Sequence, residues 1–283
     1  MDYRIKEDIE TACQLLDISY RDLAMEIGVD EKTIYRTVKG QTLLTYPKME
    51  AFYEFLFRNR IQINAIKEMS YRENMPSANK LLFHGSKAGI DGDVDIAKSR
   101  ANNDFGHGFY AGESLSQSLA FVEAYESSSV YLFEFDPRGL SHKRFGVDDE
   151  WMLAIAYFRG RLSSYSSSPV IRKIVSEVES SDYLIAPIAD NRMFQIIDSF
   201  IAGELTDEQC RHCLSATNLG NQYVMKSDRA TSQLRMLERL YICDLDRKVL
   251  RKKKSEDAHL SENKVKLAKK TYRGKGKCIG DLL

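Results

Sequence analysis

The spacing of apolar residues changes period once along this chain, and that change limits the folds open to it. Up to about residue 72 the apolar positions recur at helical spacing. From Lys80 onward they fall in short runs and alternations of strand type, interleaved with helical stretches. Between the two lies Glu73-Asn-Met-Pro-Ser-Ala-Asn79, rich in residues that break regular structure. We therefore expect an all-α segment over 1–75, a mixed domain over 76–245 and a basic tail over 246–283. Strands and helices follow one another in the mixed domain without regular alternation, which argues for an α+β class.

In the first segment, Ser19 is placed to cap a helix over Tyr20–Ile27, and Asp30 to cap a second from Glu31 to Lys39, ending at Gly40. Small Ala24 permits a close crossing and Gly28 supplies the turn. This pattern resembles the helix-turn-helix of repressor-type bacterial regulators, and the resemblance covers about twenty residues. It implies that Lys32, Thr33, Tyr35, Arg36 and Lys39 face a DNA groove. Charge argues the other way: residues 1–46 hold six Lys and Arg against nine Asp and Glu, a poor balance for neutralising phosphates. DNA contact, dimerisation and docking of a protein partner all stay open. Pro47 can start a longer helix running to about Arg72, with Phe52, Phe55, Leu56, Ile63 and Ile66 on one face.

The mixed domain opens with a strand from Lys80 that ends in His84-Gly85-Ser86. A glycine-rich segment, Phe105-Gly106-His107-Gly108-Phe109-Tyr110, follows; then come a helix near 116–124 and a strand from Val130 to Phe135. Helices are expected around the serine-rich loop 163–168, a buried strand over Tyr183–Ala186, and helices over about 191–202 and 207–215. Thr206 and Gln209 form a capping box for the last of these. A strand over Asn221–Lys226 and a final helix from Asp228 to about Leu240 complete the domain.

The chain has equal numbers of acidic and basic residues, yet residues 247–283 carry thirteen Lys and Arg against four Asp and Glu, leaving the remainder at −9. Such a tail is read either as a solvated, partly helical segment or as a surface for nucleic acid or an acidic partner. The longest apolar run, Trp151–Phe158, is too short to span a membrane. No signal peptide is read at the N-terminus, and five scattered cysteines fit a reducing cytoplasm. Cys210-Arg-His-Cys213 has the spacing of a zinc pair but lacks a second pair, so no metal is expected.

A histidine at a strand end followed by glycine leaves backbone bare beside an imidazole. Gly85 can pair with a planar amide, His84 can bond a ribose hydroxyl, and Tyr110 can stack on a flat cationic ring. Those are the needs of the nicotinamide riboside of NAD+. Leu82-Phe-His-Gly-Ser86, Asp104-Phe-Gly-His-Gly-Phe-Tyr110 and Asn221-Gln-Tyr-Val224 together resemble the three signature segments of the diphtheria-toxin/poly(ADP-ribose)-polymerase class of ADP-ribosyltransferases. Ser99-Arg100 before Asp104-Phe-Gly106, and Asp182-Tyr183 leading to Pro187–Asp190, are similar to an uncharacterised bacterial branch of that superfamily. The resemblance spans about residues 78–241 and implies a split-sheet fold.

By position it gives a His84–Tyr110–Gln222 triad, with Gln222 where the family has glutamate. It gives Gly85, Ser86, Arg100, Phe105 and Gly106 as further contacts to NAD+, the co-substrate. Glutamine keeps a hydrogen bond but has no charge and cannot serve as a base, so chain elongation is not expected. The acceptor's base would come from elsewhere, with Glu113 and Asp190 as candidates. The expected activity is single transfer of ADP-ribose to a macromolecule, nucleic acid or protein, by a bacterial toxin or phage-defence effector with a neutralising antitoxin as a candidate partner. The alternatives are an NAD+ glycohydrolase, which would use the same residues, and a non-enzymatic DNA-binding regulator that senses NAD+ or ADP-ribose.

Overall fold

The computed structural model describes residues 3–216 and 220–283. Five helices lead the chain: α1 (Ile5–Leu16), α2 (Tyr20–Ile27), α3 (Glu31–Val38), α4 (Tyr46–Arg58) and α5 (Ile63–Asn74). Ser19 Oγ accepts from the Asp22 amide at 3.2 Å, and the Asp22 carboxylate accepts from the Ser19 amide at 3.0 Å, so α2 starts on a reciprocal cap. Asp30 caps α3 by accepting from the Lys32 amide at 2.8 Å. Gly28 stands at φ 65° between the two helices, a conformation that costs glycine little. Ile9, Ala12, Leu23, Ile34, Phe52 and Leu56 fill the core of this helical segment.

The single helix expected from Pro47 to Arg72 is two helices. Arg60 takes a left-handed φ of 61°, and the Ile61 amide reaches back to the Leu56 carbonyl at 2.9 Å. That is a helix stop of Schellman type, built here without glycine.

The second part is one mixed seven-stranded sheet in the order β4-β5-β6-β2-β1-β3-β7. Its strands are β1 (Lys80–Ser86), β2 (Phe109–Gly112), β3 (Ser129–Phe135), β4 (His142–Arg144), β5 (Tyr183–Pro187), β6 (Asn221–Met225) and β7 (Leu234–Leu240). Between them run α6 (Leu115–Val122), α7 (Asp149–Phe158), α8 (Pro169–Ser180), α9 (Asn191–Ile201), α10 (Asp207–Ser215) and the short α11 (Asp228–Ser232). The chain is thus α+β, a helical segment followed by a sheet domain.

The final helix expected to reach Leu240 stops at Ser232, and Leu234–Leu240 is a strand paired antiparallel to β3 along its length. Leu, Arg, Met and Glu favour helix locally. Pairing with β3 overrides that preference, because strand formation depends on cross-strand neighbours more than on intrinsic tendency. A register shift at Leu132/Phe133 also blurs the two-residue alternation.

β1 and β3 are in register over seven residue pairs, but β1 and β2 share only Phe83↔Gly112. The sheet therefore divides into β4-β5-β6-β2 and β1-β3-β7, joined at one pair. Helices α7 to α10 cover the first half around Trp151, Ile155, Leu184 and Val224. On the second half, α6 packs its Leu115 and Val122 against Phe83, Val130 and Leu132.

The N-terminal helices are tied to β7 by a buried polar cluster. Lys67 Nζ lies 2.6 Å from an Asp8 oxygen and 2.5 Å from Glu238 Oε1. Tyr53 donates to Asp8 at 2.6 Å, and Tyr71 donates to Glu238 at 3.0 Å. Burial, aided by Glu238, pushes the Tyr71 phenol up to about 12.

The basic tail forms α12 (Asp244–Thr271), 28 residues and about 40 Å long, starting two residues before the expected boundary. Its first turns fold inward. Arg247 is 3% exposed and donates to the carbonyls of Val122, Tyr125, Glu126 and Ser128 and to Ser128 Oγ. Arg251 and Lys254 donate to the Glu123 and Ala120 carbonyls. Three basic residues thus satisfy the carbonyl end of α6, where the helix dipole favours positive charge. Farther along, Ala258 O accepts from Arg192 at 3.2 Å and Lys269 O from Gln209 at 2.9 Å. The tail is therefore mostly one helix, largely exposed, that touches the body at points from α6 past α9 to α10.

Among the described residues no helix is long and apolar enough to cross a membrane.

Candidate active site

The three residues picked out by the sequence lie on three neighbouring strands at the seam: His84 on β1, Tyr110 on β2 and Gln222 on β6. Gly112 links them, pairing with Phe83 on one side and Gln222 on the other.

His84 stacks on Phe109, ring centroids 4.5 Å apart, and its Nδ1 is 2.6 Å from the Tyr110 carbonyl oxygen. A carbonyl only accepts, so Nδ1 carries the proton and a neutral ring leaves Nε2 as an acceptor. Burial lowers the His84 pKa below the usual histidine value, with the Tyr110 carbonyl opposing it. The imidazole is therefore neutral at physiological pH.

Gly85 is required where it stands. A Cβ there would lie 2.8 Å from Val122 Cγ1 and 2.9 Å from the Ser118 carbonyl oxygen. The Phe121 ring is next, 3.3 Å from the same point. Phe121 is 59% exposed, with Lys87 Nζ 5.7 Å over its ring, so an aromatic side chain lies at the surface beside Gly85. Sequence reasoning missed Phe121. Its signal is weak: a large aromatic on the otherwise small, polar outer side of α6.

Tyr110 is held by its hydroxyl, which donates to Gly106 O at 2.7 Å and accepts from the Phe105 amide at 3.1 Å. Burial pushes its phenol well above the ordinary range, so it stays a neutral donor. The 99–108 loop is fixed by Lys226, which donates to the Phe105 and His107 carbonyls at 2.7 and 2.6 Å, and by Ser99 Oγ, which accepts from the Gly108 amide. Gly106 sits at φ 72° with Phe158 against it. Phe105 is wholly buried against Phe145, so its side chain supports the loop and only its backbone borders the site. Ser86 donates to the Gly89 carbonyl at 2.8 Å.

Gln222 is 7% exposed. Its Nε2 donates to Asp104 Oδ2 at 3.0 Å and to Pro187 O at 3.3 Å. Asp104 Oδ1 in turn accepts from Arg159 Nε at 2.8 Å and Nη2 at 2.5 Å. Arg159 lies 4.3 Å over the Phe194 ring and also donates to Ala189 O. Neither Asp104 nor Arg159 was given a role in the site from sequence, since they meet only in three dimensions.

Other expected residues fall at the margin. Arg100 is exposed and makes no ion pair among the described residues. Glu113 accepts from Asn221 Nδ2 at 3.0 Å, one residue from Gln222. Asp190 caps α9 by accepting from the Arg192 and Met193 amides, which occupies its carboxylate. Lys32, Tyr35 and Arg36 are exposed on α3 and Lys39 is exposed just past its end, with Thr33 half-buried. Tyr35 meets Tyr20 edge to face at 5.2 Å. Cys210 and Cys213 are buried, and no group of three or more metal-ligating side chains occurs among the described residues.

The fold and this seam define a mixed-sheet α+β protein with a group of polar and aromatic side chains where its two half-sheets part. Comparison places it further: residues 81–236 match a family described as a protein of unknown function, DUF3990, and the chain belongs to that family. No curated protein and no solved structure matches it.

Proposed function

We propose that this chain is a mono-ADP-ribosyltransferase, which cleaves NAD+ at the nicotinamide–ribose bond and moves ADP-ribose to a macromolecule. The observation that carries this reading is Gly85 packed so closely under α6 that no side chain fits, beside exposed Phe121, with neutral His84 next to it on β1 and the Gln222 amide two strands away on β6. The residues present fit the group. Gly85 N–H and C=O pair with the carboxamide, and Phe121 and Tyr110 flank the nicotinamide ring. His84 Nε2 accepts from a ribose hydroxyl, and Gln222 binds the nicotinamide ribose.

In the reaction the C1′–N bond breaks and nicotinamide leaves with the electron pair. The acceptor's nucleophile bonds to C1′ and releases its proton. The transition state is a cation at the ribose, so holding NAD+ in place contributes more than a strong base would. A polyanionic acceptor is supported by α12, whose Lys248 and Lys252 are exposed one turn apart near the α6 end that carries Phe121. In a toxin or defence effector, the N-terminal helices would recruit a target, DNA or a neutralising partner, and a cytoplasmic setting suits the free cysteines.

The test uses full-length protein, adenine-labelled NAD+ and a bacterial lysate separated into protein, RNA and DNA. Label on one fraction is expected, falling by about 10²-fold or more in Tyr110→Ala. Nicotinamide release without label on any fraction would make the protein a glycohydrolase instead. Neither release nor label from folded protein would overturn the enzymatic reading in favour of a binding module.

A further inference from the structure

We propose that Asp104 is a positioning residue that turns the Gln222 amide so its carbonyl oxygen is left to accept from a ligand at the seam, making glutamine the matched residue at this position. The inference rests on the reading that the seam binds the nicotinamide ribose of NAD+.

Both groups that Nε2 meets, the Asp104 carboxylate and the Pro187 carbonyl, can only accept. The orientation of the amide is therefore fixed by chemistry, and both its protons are used. Oε1 makes no hydrogen bond among the described residues and is not sealed from solvent. What Gln222 presents outward is a neutral acceptor, suited to a ribose hydroxyl.

An ionised glutamate at 222 could donate to neither partner. One of its oxygens would replace Nε2 at 3.0 Å from Asp104, and two carboxylates at that separation do not both ionise. The charge that a glutamate would bring is already present one layer back, on Asp104, and Arg159 neutralises it. Phe194, Arg159, Asp104 and Gln222 thus form a relay of contacts from α9 to the seam. The Asp104–Gln222 pair should be exchangeable: an asparagine at 104 can donate to a glutamate at 222 while its own oxygen still accepts from Arg159.

The experiment compares wild type, Gln222→Glu, Asp104→Asn and the double variant, all full length, for nicotinamide release from NAD+ and for thermal midpoint across pH. Gln222→Glu is expected to lose about 10²-fold in release and about 5 °C in midpoint at neutral pH. Its midpoint should recover as pH falls, since the crowded carboxylates hold a proton more tightly when folded than when unfolded. The double variant should regain release to within ~10-fold of wild type and lose that pH dependence. Gln222→Glu matching or exceeding wild type, or a double variant no better than Gln222→Glu, would overturn the proposal. Absence of release from wild type would remove the transferase reading alone, because the midpoint pattern still decides whether Asp104 and Gln222 are coupled.

Discussion

Arg247→Met is expected to lower the stability of the chain by about 3–5 kcal/mol, with the thermal midpoint falling by roughly 6–15 °C. The Arg247 guanidinium is buried and shared among four backbone carbonyls and a serine hydroxyl at 2.7 to 3.2 Å. Methionine fills similar volume but donates nothing. Ser128 Oγ still shares its one proton between the Val122 and Tyr125 carbonyls, so part of the cluster is retained. The others are left facing a thioether at the carbonyl end of α6, where a positive charge was favourable. Because α6 packs on Gly85, the substitution should also loosen that contact. Differential scanning calorimetry checks the first effect; a midpoint drop below about 2 °C would mean that water replaces the guanidinium at little cost.

The second large effect is at the polar cluster beneath β7. Lys67→Met should cost about 3–5 kcal/mol near neutral pH, because it leaves Asp8 and Glu238 buried without their cation. Burial already raises the Asp8 pKa, with Lys67 opposing that shift. Without Lys67 the shift grows, and the folded state binds more protons than the unfolded chain. Stability of the variant should therefore rise as pH falls from about 8 toward 5, opposite to the usual behaviour of a paired carboxylate. Urea denaturation at several pH values reads this directly. A variant whose deficit does not shrink on acidification would show that the pair is solvated.

Local signals in the sequence were legible and translate into the observed elements. The Ser19 cap, the Asp30 cap and the Thr206–Gln209 box are each complete within a few residues, and each starts its helix as expected. The order of His84, Tyr110 and Gln222 along the chain could be read, but not their junction through Gly112, which needs the strand register. What stayed hidden depends on distant partners. Leu234–Leu240 has helix-forming composition and becomes a strand only through β3. Asp104 and Gln222, 118 residues apart, give no periodic or spacing signal. Net charge indicated a basic tail, but not that Arg247, Arg251 and Lys254 are spent on the end of α6.

The central claim is that the seam between the half-sheets is where NAD+ is cleaved. It is tested most directly by following nicotinamide release from NAD+ by the purified full-length chain across pH, beside His84→Ala and Tyr110→Ala. The account predicts release by wild type, sustained down to below the usual histidine value near 6.5 because burial keeps His84 neutral, then falling in acid as the ring takes a proton and Nε2 stops accepting. Both variants should lose release while remaining folded. Release that is unchanged in both variants, or absent from folded wild type, would contradict the claim.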